Sequence, residues 1–121
     1  MPNIQSVTTG VFRVPLPEVL TDSMHGVMRD FELVTAVVRD ADGAEGTGYT
    51  FTVGRNGGAI ANIITSEMTG IIVGLDADSI EAIWNRLWWE THYGGRGGPT
   101  VLALSAVDMA LWDLKARRLS Q

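Results

Sequence analysis

The chain has 121 residues, enough for one domain with a packed core but well short of the roughly 250 residues of an α/β barrel. Its formal net charge of −5 argues against nucleic acid as a partner, and the absence of cysteine excludes disulfides and thiolate metal sites. No secretory signal and no apolar run long enough to span a bilayer are visible, so we expect a cytoplasmic protein that does not act at a membrane.

Residue types that carry catalysis are scarce in this chain. Lys115 is the only lysine, and His25 and His92 are the only histidines. The chain therefore has very few residues from which to form a lysine base, a serine–histidine–aspartate triad or a histidine-rich metal site. The scarcity of these residues weighs against catalysis by this chain alone.

The first half of the chain predicts an antiparallel meander of three strands. Their alternating or β-branched residues place them at residues 4–16, Phe31–Arg39 and Glu45–Val53. Pro15 and Pro17 are expected to end the first strand, because proline cannot donate to a ladder. Residues 18–30 show no sustained period, which predicts a mobile loop long enough to have a function of its own. Residues 40–43 predict a tight turn between the second and third strands.

Two glycines in the third predicted strand, Gly46 and Gly48, lie on the same face. A face without side chains lets another part of the protein approach the backbone closely. We therefore expect another element to pack against the strand at this point.

The second half of the chain predicts three helices. Apolar residues recur at intervals of three and four from Asn56 until Gly74, which closes the first helix. Asp78 and Glu81 are spaced as a capping box that opens the second helix. Pro99 stands at the first position of the third helix, where proline is tolerated. The order predicts an α+β fold, a three-stranded antiparallel meander followed by a three-helix bundle with one sheet face covered.

The last predicted helix, which begins at Pro99, is apolar on nearly every side. One stripe consists of Val101, Leu104, Val107, Leu111 and Leu114, and a second stripe consists of Leu102, Ala106, Met109 and Ala110. One stripe can pack on the rest of the chain. The other is expected to need a partner that the remaining residues do not supply, so we expect the chain to be part of something larger.

The segment Gly54–Gly58 is the most suggestive local motif, because Arg55 stands in a glycine-rich turn before a predicted helix. Backbone amides at a helix start attract anions. A carboxylate site beside Arg55, a phosphate site and a plain turn with a solvated arginine all remain open, although no Gly-Lys-Ser/Thr follows to support nucleotide binding. His25 lies in the predicted loop and is either an exposed histidine or a group that touches a substrate.

Other polar and aromatic side chains have structural interpretations. The tryptophans of the second helix are spaced for core packing, and His92 is expected to cap the end of that helix. Asp108 in the apolar last helix is expected to form a structural ion pair, because a buried carboxylate is costly without a partner. Asp113 and Arg117 are spaced for an ordinary helical ion pair.

The segment Ser105–Arg117 (SAVDMALWDLKAR) resembles the sequence that closes the N-terminal domain in the mandelate racemase and muconate-lactonising group of the enolase superfamily. The resemblance extends over the whole chain in the order of its strands, loops and helices. Leu16–Arg29 and Tyr49–Arg55 most resemble the acid-sugar (talarate/galactarate-like) dehydratase subgroup. Family members often carry glutamate directly after the Gly-x-Gly of the third strand, where this chain has Tyr49.

This resemblance implies that residues 1–121 are an enolase N-terminal-like capping domain, and that the (β/α) barrel which it covers is absent from this chain. In such enzymes the barrel supplies the ligands of Mg²⁺ and the bases that remove a proton α to a carboxylate. The cap supplies two loops that close over the substrate. By position these are residues 20–28, whose apolar side chains would point inward, and the segment around Arg55. The implied or suggested substrate-binding residues are Leu20, Met24, His25, Val27 and Arg55.

We therefore hypothesise that the chain is the substrate-enclosing cap of a Mg²⁺-dependent acid-sugar dehydratase or racemase. Its partners would be the C-terminal barrel domain, a small hydroxy-carboxylate substrate and further copies in a homo-oligomer. The alternative is a stand-alone binding or assembly module that docks through its C-terminal helix. The sequence after Gln121 in the intact gene product distinguishes them, because a barrel strand with Lys-x-Lys favours the first and a stop codon with a soluble monomer favours the second.

Overall fold

The computed structural model describes residues 2–119 and confirms the predicted α+β fold. The strands are β1 (Ile4–Asp22), β2 (Gly26–Asp40) and β3 (Glu45–Thr52), which form one antiparallel sheet in the order β1-β2-β3. The helical elements are α1 (Gly57–Asn62), a π-helical segment (Ile63–Met68), α2 (Thr69–Ile72), α3 (Ile80–Thr91), a 3₁₀ helix (His92–Gly94) and α4 (Pro99–Arg118). The first three follow one another without a break and make up the first predicted helix, which Gly74 closes at φ +92°.

The strand β1 is longer than predicted. The prediction that Pro15 and Pro17 end it is wrong, because β1 continues to Asp22. β1 lies at an edge of the three-stranded sheet, where a missing N–H need not interrupt the ladder. Its register with β2 shifts between Pro15 and Leu20, so the prolines fall in an irregular stretch of the strand.

Residues 18–30 form the outer part of the β1–β2 hairpin, so the prediction of a mobile loop is wrong. The ladder pairs there are Leu20 with Met28, Thr21 with Val27, and Asp22 with Gly26. Only residues 23–25 remain as the turn. Sequence periodicity missed this part of the hairpin because most of its residues are exposed on both faces, and strand patterns reflect burial of one face.

The core lies between the sheet and the helices. Val34, Ala36 and Val38 alternate along the central strand β2 and are completely buried beneath the helices. The largest buried side chains of the helices are Ile60, Ile64, Met68, Ile72, Ile83, Leu87, Val107, Leu111 and Leu114. Burying a side chain of this size contributes about 1.5–3 kcal/mol. This apolar layer is the main source of stability that the structure shows.

The opposite face of the sheet is open within the described residues, as the sequence predicted. Phe12 and Tyr49 are about half exposed on this face, because the odd-numbered residues of β2 that neighbour them point away from the helices. Phe31 and Phe51 stack there with ring centroids 5.1 Å apart. The helices therefore pack on one face of the sheet only.

The close contact of α4 with β3 depends on two glycines and confirms the prediction made from them. A Cβ atom at Gly46 would overlap the backbone at Ala110, and a Cβ atom at Gly48 would overlap the backbone at Ala106. Any side chain at either position would push the helix away from the sheet. The two glycines thus set the distance between α4 and β3.

This contact also accounts for the second apolar stripe of α4. Ala106 and Ala110 are completely buried against β3, and Leu102 is half-buried on the edge of the core. Only Met109 in this stripe is exposed, at 40% of its surface. The expectation that the stripe needs a partner outside the chain is therefore wrong for most of its length, because small side chains fill the space that the β3 glycines leave.

Asp113 holds the same contact through a hydrogen bond. Its Oδ2 accepts the backbone N–H of Thr47 at 2.8 Å and the Nε–H of Arg117 at 2.9 Å, which confirms the predicted pair of Asp113 with Arg117. The amide of Thr47, followed by the guanidinium of Arg117, lowers the pKa of the Asp113 carboxyl. The carboxylate therefore stays ionised and links α4 to the middle of β3.

Arg118 joins three parts of the chain at the C-terminal end of α4. Its Nε lies 3.3 Å from Oδ2 of Asp40, which is completely buried, and its Nη1 donates to Oδ1 of Asp78 at 2.8 Å. Oδ1 of Asp40 meanwhile accepts the backbone amides of Asp42 and Ala44 in the β2–β3 turn. The end of α4 is thereby fixed to both the turn and the start of α3.

The predicted capping box at Asp78 is wrong. Ser79 is the residue that precedes α3, and it makes no side-chain capping bond. The Asp78 carboxylate is instead bound by Arg118, a residue distant in sequence. A local capping pattern was thus overridden by a tertiary ion pair.

We expect Gly48→Ala to destabilise the chain by about 3 kcal/mol or more, because the added methyl group would meet backbone that cannot move aside. Gly70→Ala is the matched control, since Gly70 lies in α2 with no atom near its virtual Cβ, and alanine there should stabilise by about 0.5–1 kcal/mol. Urea unfolding followed by circular dichroism measures both. Equal effects at the two positions would contradict the role given to Gly48.

We expect Arg118→Met to cost about 3 kcal/mol, because it keeps the aliphatic stem and leaves Asp40 as a buried carboxylate without a cation. Arg117→Met removes a neighbouring guanidinium whose pair with Asp113 is largely exposed, and should cost at most about 1 kcal/mol. Thermal unfolding of both variants measures the difference. A cost for Arg118→Met no larger than that for Arg117→Met would show that the Asp40 pair contributes little.

Candidate functional site

Two segments project from the same end of the sheet. The last pair between β2 and β3 joins Glu32 with Thr52, and the β1–β2 hairpin continues beyond that pair to its turn at residues 23–25. Since β3 runs antiparallel to β2, the turn that follows Thr52 leaves the sheet at this end as well. The two loops predicted to enclose a substrate therefore start from one edge of the fold.

The apolar residues predicted for the hairpin are exposed, but they do not share one face. Met24 at the tip is 86% exposed, and Leu20 and Val27 are each about half exposed. Leu20 pairs with Met28 while Val27 pairs with the next residue along, and neighbouring pairs of a strand ladder point to opposite faces. The expectation that Leu20 and Val27 point inward together is therefore wrong.

Met28 is the residue of the hairpin that sequence reasoning missed. It lies on the same face of β2 as Asp30 and Glu32, which is the face that the helices cover further along the strand. Leu20 shares this face through its pair with Met28. Side chains alternate between the two faces along β2. If residues 18–30 are recognised as strand, continuing this alternation from Phe31 towards the N-terminus identifies Met28.

His25 is bound by its neighbour Asp22 at the turn of the hairpin. Its Nδ1 lies 3.0 Å from Oδ2 of Asp22, and Oδ1 of Asp22 accepts the backbone amides of Met24 and His25. The His25 amide, then its ring, lowers the pKa of the Asp22 carboxyl. The histidine predicted to touch a substrate is thus held at the tip and is half exposed.

Arg55 lies in a turn with an unusual backbone. Its neighbours Gly54 and Asn56 both have positive φ, at 77° and 71°. Positive φ suits glycine and is tolerated by asparagine, so this sequence can adopt the turn where most others would be strained. The Arg55 side chain is exposed and has no hydrogen-bond or ion-pair partner within residues 2–119.

Glu32 contacts the end of this turn where α1 begins, and it was not among the candidate residues predicted from the sequence. Its Oε1 accepts the backbone amide of Gly57 at 2.7 Å, at the start of α1. The hypothesis of an anion site at Gly54–Gly58 is opposed by this contact, because a carboxylate of the chain itself occupies the amide. The sequence offered one signal for Glu32, which is a charged residue on the same face of β2 as the apolar Val34.

The remaining candidate residues lie elsewhere. The expected ion pair of Asp108 is wrong, because its carboxylate has no such partner among residues 2–119, and burial raises its pKa. It lies in a cleft of about 320 Å³ between α3 and α4, beside Trp84 and Trp112. His92 stands at the C-cap position of α3, as predicted, and its Nδ1 is buried without a hydrogen bond from the described residues.

Trp84 and Trp88 of α3 stack on one another, and Trp88 also packs against the core. The rings of Trp84 and Trp88 stack with centroids 5.4 Å apart, and Trp84 keeps 39% of its surface exposed. Their neighbours Ile83 and Leu87 form the buried face of the helix. The prediction of a structural role holds for the stacked pair, while its placement in the core is wrong for Trp84.

Residues 2–119 bring together no group of three or more histidine, aspartate or glutamate side chains that could hold a metal ion. They also contain no helix long and apolar enough to cross a membrane. The described part of the chain therefore does not itself fit a magnesium ion.

The sheet, the order of the helices and the two projecting loops define the capping-domain fold of the enolase superfamily. The sequence profile of the family described as "Mandelate racemase / muconate lactonizing enzyme, N-terminal domain" matches residues 6–121. The chain therefore belongs to this family, which confirms the resemblance carried by Ser105–Arg117.

Curated relatives share the domain but are much longer. The chain is 52% identical over 115 residues to the 3,6-anhydro-alpha-L-galactonate cycloisomerase of Streptomyces coelicolor, covering 95% of this chain and 32% of that protein. It is 34% identical over 91 residues to the L-talarate/galactarate dehydratase of Salmonella typhimurium, covering 75% of this chain and 23% of that protein. The chain thus spans about a third or less of these relatives.

Solved structures of relatives agree with the fold and hold magnesium. A racemase from Streptomyces coelicolor with bound magnesium superposes with a TM-score of 0.92 at 52% identity, covering 96% of this chain and 32% of that one. The L-talarate/galactarate dehydratase of Salmonella typhimurium, liganded with Mg and L-lyxarohydroxamate, gives a TM-score of 0.85 at 29% identity, covering 96% of this chain and 31% of that one. The prediction of Mg²⁺ in full-length relatives is confirmed.

We expect the Asp22 carboxyl to titrate below its ordinary pKa of 3.8, because its ionised form accepts backbone amides at the hairpin turn. Order at the turn should then be complete above pH 3.8 and be lost as the pH falls through the lowered pKa. Carboxyl carbon NMR shifts measure the titration. His25→Ala keeps the amide that makes the largest contribution and should keep most of the lowering. An unshifted titration in the wild-type chain would contradict this geometry.

Proposed function

We propose that this chain is the cap of a magnesium-dependent enzyme that acts on a sugar acid, and that its two projecting loops enclose the substrate. The observation that carries the proposal is the exposed Arg55, a cation without a partner among residues 2–119, at the sheet end from which the hairpin projects. A guanidinium in this position suits a carboxylate or hydroxyl group of a small acid.

The proposed division of labour assigns catalysis to a barrel domain beyond residue 121. The relatives with magnesium are about three times the length of the matched region. The described residues of this chain offer no cluster of metal ligands. Removal of a proton α to a carboxylate, and the binding of Mg²⁺, would therefore belong to residues outside this chain, and the cap would contribute binding and the exclusion of water.

Each hairpin residue has a different proposed role. Leu20 and Met28 share the face of the hairpin on the side of the helices, so they would form the apolar wall that faces the Arg55 turn. Met24 and His25 at the tip would touch the substrate or the rim of the barrel. Val27 on the other face would contact the substrate only if the hairpin rotates or bends towards it.

The substrate class is proposed from the relatives. One acts as a cycloisomerase on 3,6-anhydro-α-L-galactonate and another as a dehydratase on L-talarate or galactarate, and both substrates are sugar acids. The sequence predicts dehydration or racemisation, and the cycloisomerase relative adds cycloisomerisation to the reactions to assay. Homo-oligomerisation and a cytoplasmic location stay predictions, which mass photometry and cell fractionation can test.

The alternative function is a stand-alone module that docks through α4. It is favoured by one observation, the exposure of Met109 and Trp112 on α4, of which Trp112 lines the cleft that contains Asp108. If the intact gene product ends near residue 121 and binds a partner protein with this face, the module hypothesis is correct. If a barrel follows, the cap hypothesis is favoured.

We expect Arg55→Ala in the full-length gene product to raise KM for the sugar acid about tenfold or more and to leave magnesium affinity unchanged, because a charge-assisted hydrogen bond contributes about 1.5–3 kcal/mol. Arg96→Ala is the matched control, since Arg96 is another exposed arginine between glycines. Steady-state kinetics and a magnesium titration measure the two effects.

Three results of that experiment would contradict the proposal. Loss of magnesium binding in Arg55→Ala would place Arg55 at the metal site rather than in the cap. An unchanged KM would remove Arg55 from the substrate site. An equal rise in KM for Arg96→Ala would indicate a general effect of charge.

A further inference from the structure

One carboxylate contacts both sides of the turn that carries Arg55. Oε1 of Glu32 accepts the backbone amide of Gly57 at 2.7 Å and the hydroxyl of Thr52 at 3.4 Å. Thr52 is the last residue of β3, and Gly57 is the first residue of α1. The four residues between them, which include Arg55, are therefore closed into a loop by a single side chain from the neighbouring strand.

The site is built for this contact. A Cβ atom at Gly57 would overlap the carboxylate of Glu32, and Gly57 does not have a positive φ that would otherwise require glycine. A side chain at position 57 would therefore displace the Glu32 carboxylate from its place beside the Gly57 amide. Glu32 comes from β2, the central strand, whose next residue on the same face is the buried Val34. Glu32 thus stands on the central strand, next to its buried part.

No cation competes for this carboxylate among residues 2–119. Arg13 lies opposite Glu32 in the β1–β2 ladder, but its guanidinium binds Oδ1 of Asp30 at 2.7 Å. Glu32 therefore directs its charge to the amide at the start of α1, where a negative charge is favoured. Asp30 and Glu32, which are on the same face of β2, have separate partners.

We propose that Glu32 is a positioning residue for Arg55, because it holds both ends of the turn and so fixes the direction in which the guanidinium points. The proposal depends on the function proposed for Arg55. Glu32 would not touch the substrate. It would reduce the entropy lost when the substrate orders the turn, and so lower KM through another residue.

The first test measures the turn itself, without substrate. In Glu32→Ala, hydrogen exchange of the Gly57 amide should be at least about tenfold faster, and ¹⁵N order parameters at residues 54–56 should fall. Glu32→Gln retains a side-chain oxygen that can accept the amide and should keep most of the protection. Glu67→Ala is the control, since Glu67 is an exposed glutamate on the π-helical segment.

The second test is a double-mutant cycle in the full-length gene product. Glu32→Ala should raise KM about as much as Arg55→Ala, with kcat and magnesium affinity little changed, and should have no further effect when Arg55 is already alanine. Glu32→Gln should recover most of the affinity. A residue that only stabilises the fold would give additive effects and would lower kcat and protein yield together.

The outcomes separate this inference from the proposed function. If the Gly57 amide and the turn are unchanged in Glu32→Ala, the inference about Glu32 is wrong whatever the kinetics show. If the turn loosens but neither Glu32→Ala nor Arg55→Ala alters KM, Glu32 positions the turn and the function proposed for Arg55 is wrong. Additive KM effects of the two substitutions would also overturn the inference.

Discussion

The approach of α4 to β3 is the contact on which the rest of the structure depends. Gly46 and Gly48 allow the backbone of α4 to lie directly on the strand, and Asp113 then reaches the amide of Thr47. This packing covers most of the second apolar stripe of α4, for which the sequence alone suggested no partner within the chain. It also fixes β3 beside β2, because α4 contacts β2 while it rests on the glycines of β3. The two glycines of β3 therefore determine how closely α4 can approach the sheet.

The site follows from the geometry of that sheet. Since α4 and the other helices hold the buried parts of β2 and β3, the start of β2 and the end of β3 project together at one edge. Glu32 stands where the buried part of β2 ends, and its carboxylate connects the strand to α1 at Gly57. The turn that carries Arg55 therefore begins and ends on well-packed elements while its middle is exposed. A rigid support for an exposed cation is the arrangement that substrate enclosure requires.

The sequence predicted the fold well and the candidate site only in part, because buried elements leave a sequence pattern and exposed ones do not. Buried elements leave a periodic pattern, so β2, β3 and the helices were found, and Gly46 and Gly48 marked a close approach. The outer hairpin left no such pattern because both its faces are exposed, and Leu20 and Val27 were assigned to one face. Tertiary ion pairs were invisible as well, so Asp78 was read as a cap rather than as the partner of Arg118. Local sequence patterns indicate burial and turns. They do not indicate which residue, distant in sequence, will form an ion pair with a given side chain.

The candidate residues are separated from the residues that maintain the fold. Met24 and Arg55 are exposed, whereas Val34 and Leu111 have almost no exposed surface. Under the proposed function, substitutions at the tip of the hairpin or in the turn would therefore change substrate contacts at little cost in stability. Glu32 lies between these two groups, because it is attached to the central strand and acts on the exposed turn. If the proposed function is correct, substrate specificity can change through the two loops, provided that the Glu32 carboxylate, which connects one of them to the sheet, is retained.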